Sequence, residues 1–128
     1  MASGKTDTHE NAVINHFCRG TGETTKSAYV ALFSTAPGEA GGGVELSGNG
    51  YARIAIGLNA PSDGVALNGG EVKFTAAGGA WSAIDGHAVM DESSAGNMQY
   101  YEDSVGGPTL GDGDSYQFDA GDISVTET

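Results

Sequence analysis

The sequence predicts an all-β fold: a jelly-roll-like β-sandwich of roughly eight or nine short strands with one short N-terminal helix. Two observations carry this expectation. Apolar residues make up 38% of the 128 residues and recur mainly with a period of two, the spacing of a half-buried strand. The 22 glycines cluster with Asn, Asp and Pro between those apolar runs, where they read as turns. A chain of this length buries roughly two thirds of its unfolded surface, enough for one core, so a single domain over residues 1–128 is expected.

Residues 1–6 read as an N-terminal arm and residues 7–19 as the helix. Asp7 and Glu10 have the spacing of a capping pair, Val13/Phe17 and Ile14/Cys18 repeat at i, i+4, and Gly20 follows the end. That stripe predicts a helix packed on a sheet, with Phe17 in the core and the Cys18 thiol buried. Ala28–Ser34 follows as a strand. Tyr51–Leu58 alternates, placing Ala52, Ile54, Ile56 and Leu58 on one face. Val72 and Phe74 alternate with Glu71, Lys73 and Thr75 in the next. Trp81–Met90, Met98–Glu102, Ser115–Asp119 and Asp122–Thr126 supply further strands, with weaker pieces near Val44 and Val65, each bounded by turn residues. Phe33, Phe74, Trp81 and Phe118 are expected in the core. Tyr100 and Tyr101 are neighbours in one strand and must point to opposite faces.

Charge narrows the function. The formal net charge is -12, and all five basic residues (Lys5, Arg19, Lys26, Arg53, Lys73) precede Phe74, after which come ten acids and no Lys or Arg. Phosphate binding depends on Lys and Arg, so direct contact with nucleic acid is excluded. The single Cys18 forms no intrachain disulfide, which suits folding in a reducing cytosol. MASGKTDTHE carries no apolar signal-peptide core and no run is long enough to cross a bilayer, so no membrane partner is expected and synthesis is placed in the cytoplasm.

Catalytic and metal motifs are weak. His9 and His16 are seven apart without a third helical ligand, and with His87 they read as surface or partly packed imidazoles. Asp112-Gly113-Asp114 and Asp119-Ala120-Gly121-Asp122 lack the spacing of an EF-hand loop and read as turns between strands. No nucleophile elbow occurs, and GEAGGG before Val44 lacks the Lys and Ser/Thr of a phosphate loop. The sequence therefore predicts no enzyme, no cofactor and no metal site.

Tyr29 to Arg53, YVALFSTAPGEAGGGVELSGNGYAR, combines a buried-type strand, a T-x-P-G turn, a Gly-rich loop and G-x-G-Y-A-R. Before it stands ENAVINHFCRGT; after it come WSAIDGHAVMD with Gly96-Asn97, and the closing GDGDSYQFDAGDISVTET. In this order the segments resemble a family of small tailed-phage virion proteins, variously described as tail-fibre-like or capsid decoration (cement) proteins. The resemblance implies a compact β-sandwich acting as a structural subunit without chemistry. With no heptad or β-helix repeat for a shaft, the expected role is a cement subunit on the outer capsid surface. It would bridge copies of the major capsid protein, assemble as a homodimer or homotrimer, and stabilise the shell. The alternative is a tail- or fibre-associated protein for host adsorption. The residues expected at the partner interface are Lys5, Thr6 and Asp7 of the arm, Glu39 and Glu45 of the loop, Tyr100 and Tyr101, and the acidic edges Asp91, Glu92, Glu102 and Asp103, read as solvated.

Overall fold

The computed structural model describes residues 4–21 and 26–127; Met1–Ser3 of the expected arm lie outside them. Among the described residues, ten strands and one helix follow in the order β1 (Gly4–Lys5), α1 (Asp7–Cys18), β2 (Tyr29–Thr35), β3 (Val44–Glu45), β4 (Ile54–Ala55), β5 (Val65–Leu67), β6 (Val72–Thr75), β7 (Gly86–Met90), β8 (Met98–Asp103), β9 (Ser115–Phe118) and β10 (Ser124–Thr126). The chain is an all-β sandwich. One layer is an antiparallel sheet in the order β1-β8-β7-β2-β3, with β4 pairing on β2. The facing layer is built from two ribbons, β5/β10 and β6/β9.

The core between the layers follows from strand alternation. Val30 and Leu32 of β2 and Val89 of β7 meet Val72 and Phe74 of β6, together with Trp81, Ile84, Leu110 and Ile123. Burying side chains of this size contributes about 1.5–3 kcal/mol each. Tyr51 stands edge-on to Trp81, with ring centres 5.6 Å apart. Asn68, itself buried, fastens the end of the second layer. Its amide donates to the carbonyls of Gly70 and Asp119, and its Oδ1 accepts from the N–H groups of Gly121 and Ile123.

The large sheet is buried on its other face too, which explains why β2 reads as a continuous apolar run. Ala31, Phe33, Ala88, Met90 and Met98 cluster there, with Tyr29 and Tyr101 at the margin. Loop 36–43 folds over this face. Gly86 permits it: a Cβ at that position would lie 2.7 Å from Cδ of Pro37.

Three expectations are corrected. The Tyr51–Leu58 strand shortens to β4, because Tyr51 leaves the ladder and turns its hydroxyl to the N–H of Leu32 at 3.0 Å. Of Trp81–Met90 only Gly86–Met90 is strand, and Trp81 makes one isolated bridge to Leu110. Helix α1 buries none of its residues: Phe17 is 77% exposed, Ile14 is 54% exposed and Cys18 is exposed. The helix is held at its first turn, and of its stripe Val13 is half-buried while Ile14, Phe17 and Cys18 are exposed.

Candidate partner-binding surface

The strand β8 carries the centre of the candidate surface. Its alternation sends Tyr100 to the inner core and Tyr101 to the opposite face, as the sequence requires. Around Tyr101 the fold gathers four carboxylates from three places. Asp7 and Glu10 come from the first turn of α1, Glu39 from loop 36–43 and Asp103 from the end of β8. The carboxylates of Asp7, Glu10 and Glu39 are exposed and converge within 4.8 Å of one another. Partial burial, with the negative charge of Glu39, Asp103, Asp7 and Glu10, pushes the Tyr101 hydroxyl above its ordinary pKa of 10.0.

Backbone contacts hold this arrangement. The Asp7 N–H donates to the Glu39 carbonyl at 3.2 Å, and the Gly38 N–H donates to Asp103 Oδ1 at 3.0 Å. The result is an aromatic ring with a hydroxyl, set in a negative field and open to solvent at its carboxylates. Such a surface attracts Arg and Lys side chains by charge.

A family model described as Podophage GP4 fiber I protein gp80 matches residues 4–126. The chain belongs to this family. It is thus a member of a tailed-phage, fibre-like virion protein family, as the sequence resemblance implied. No curated protein matches the chain. Within this gp80-family member, no helix among the described residues is long and apolar enough to cross a membrane.

The remaining expected interface residues are dispersed. Thr6 is 1% exposed and Asp91 6%, so neither presents a solvated edge. Thr6 turns inward because its hydroxyl donates to the Met98 carbonyl while accepting from the N–H of His9 as the helix N-cap. Asp91 turns inward to accept from the Asn97 N–H at 2.8 Å, closing the turn between β7 and β8. Lys5 Nζ lies 3.2 Å from Glu127, and Glu92 pairs with Lys26 at 3.1 Å. Glu45 accepts two bonds from Arg53, Nε at 2.9 Å and Nη2 at 2.8 Å, and one from the Tyr51 hydroxyl at 2.6 Å. Burial works against the charged form of Glu45, yet these bonds hold its carboxyl below the usual range. Arg53 Nη1 also donates to the carbonyls of Glu92 and Ala95, so one guanidinium clamps the β7–β8 turn to β3, which carries Glu45.

Of the two placements expected for the imidazoles, surface or packed, His87 takes the packed one at 5% exposed. Its Nδ1 bonds Glu102 at 2.8 Å and its Nε2 bonds the Tyr116 hydroxyl at 2.7 Å. Glu102 therefore lies beside the inner core, apart from the acidic cluster around Tyr101. The acidic turns behave as loop closures. Asp112 accepts from the Gly78 N–H, Asp114 from Gly111 and Asp122 from Asp119. Sequence reasoning overlooked Glu10 as a surface contributor. Its i+3 spacing from Asp7 was the available signal, and it pointed equally to a capping role.

Proposed function

We propose that this chain is a structural, non-enzymatic subunit of the virion that decorates the outer capsid surface. It docks through the acidic surface around Tyr101 onto a basic surface of the major capsid protein. The observation that supports this most is the convergence of Asp7, Glu10 and Glu39 beside Tyr101 and Asp103. Three carboxylates within 4.8 Å of one another repel in the free protein and lose that cost when Arg or Lys enters. The sandwich itself is compact and carries its polar groups in structural bonds, which suits a subunit that lies on a shell. Each docking contact is modest, and oligomers of the subunit would add such contacts by multivalency. The family description supports a second reading, a fibre-associated subunit, in which the same surface docks on a basic component of the tail.

Electron cryo-microscopy of intact particles tests the position: symmetric copies over the shell are expected, and density confined to the tail replaces decoration by the fibre reading. The docking surface is tested by Glu10→Lys/Glu39→Lys. Occupancy on particles should fall and its salt dependence weaken; unchanged occupancy rejects the surface.

A further inference from the structure

We propose that the N-terminal unit, β1 with α1, is an exchangeable plug, and that the edge of β8 is a socket able to take the plug of a second copy of this chain. The observations that point to it concern how the unit is held. The seat is specific and almost wholly polar. Lys5 pairs with Tyr100 and Gly4 with Tyr101 along the strand edge. The Thr6 N–H donates to the Gln99 carbonyl, and the Thr6 hydroxyl to that of Met98. His9 Nδ1 bonds Gln99 Oε1 at 2.8 Å, and its Nε2 bonds Glu127 Oε2 at 2.9 Å, the oxygen that also accepts from the Tyr100 hydroxyl.

Against that directional fit stands weak apolar anchoring, since α1 fully buries no residue and only Ala12 and Val13 of its apolar side chains are half-buried. A segment held by hydrogen bonds, the Lys5 and His9 contacts to Glu127 and the His9–Tyr100 ring contact, with Thr6 its one fully buried side chain, exposes little core on release and can re-form the same contacts on any equivalent edge. The seat also carries opposition: Asp7 and Glu10 of the plug face Glu39 of the body within 4.8 Å. Residues 19–28 connect plug to body and can span at most roughly 33 Å. Exchange between copies makes and breaks identical contacts, so local concentration decides it, and a symmetric assembly supplies that concentration. In an exchanged pair the acidic surface is composite, with Asp7 and Glu10 from one copy and Glu39, Tyr101 and Asp103 from the other. The inference does not depend on what that surface binds.

The test mixes two full-length populations, both Cys18→Ser, one carrying Lys5→Cys and the other Tyr100→Cys. Neither can close an intrachain disulfide, and strand neighbours lie at bridging distance. Under mild oxidation the mixed disulfide should exceed that of a Lys5→Cys plus Lys73→Cys control by at least roughly tenfold. Glu39→Gln should slow its formation. An Asp7→Cys with Glu39→Cys pairing reads the same event should loss of the Tyr100 hydroxyl impair folding. No excess over control, with rapid closure of the intrachain Lys5→Cys/Tyr100→Cys variant, overturns the proposal.

Discussion

His87 Nε2 lies 2.7 Å from the Tyr116 hydroxyl, joining β7 of the large sheet to β9 of the facing ribbon across the sandwich. Burial lowers the His87 pKa from its ordinary 6.5, opposed in part by Glu102. The unfolded chain therefore takes up this proton at higher pH than the fold does. Stability from His87 is full above about pH 6.5 and is lost as pH falls through the folded value. Thermal melts of the parent should decline on acidification from about pH 7 to about pH 5, and His87→Gln should flatten that segment. A parallel decline in the variant would assign the effect elsewhere. Glu45 and Glu127 act in a lower window, because their folded pKa values lie below the ordinary 4.5.

Arg53→Met leaves Glu45 with Tyr51 alone and frees the β7–β8 turn. Arg53 is nearly buried and Glu45 a quarter exposed in the side chain, so the loss should be about 2–3 kcal/mol, below the ~3–5 of a fully buried pair. Denaturant titration of Arg53→Met, Glu45→Gln and the double variant measures it. Additive losses would show that the two residues are not coupled.

Asn68→Ala removes four hydrogen bonds and strands the Ile123 N–H and the Gly70 carbonyl at the end of the ribbons, while the Gly121 N–H keeps the Asn68 carbonyl and the Asp119 carbonyl keeps the Asp122 N–H. A cost of about 3 kcal/mol or more is expected in urea unfolding. A loss below about 1 kcal/mol would mean that water replaces the amide readily.

Thr6→Val keeps shape but removes the helix cap and the bond to Met98. About 1–2 kcal/mol should be lost locally. Amide exchange should quicken in residues 7–18 and along 98–101, while the core around Phe74 stays protected. Uniform loss of protection would instead make the plug part of the global folding unit.

The legible parts of the fold were those where burial follows the repeat. YVALFST announces a strand covered on both faces, and Val72/Phe74 announce a half-covered one. The sequence misled where a local polar bond overrode the pattern. Tyr51 leaves its strand for Leu32 and Glu45, and Asp91 folds inward to serve Asn97. Val13/Phe17 and Ile14/Cys18 form a stripe that periodicity assigns to a core, but periodicity is blind to where a helix is tethered. Of the candidate surface, Asp7, Glu39, Tyr101 and Asp103 were named from sequence. That they surround one ring while Glu45, Glu92 and Glu102 take up other partners is a consequence of register, which no single segment encodes.

His9 finds its partners 90 and 118 residues downstream, and Lys5 meets Glu127 after a separation of 122. During synthesis residues 4–18 are thus made before β8 and Glu127, and the segment stays a ligand without its own receptor until those later segments have been made and folded.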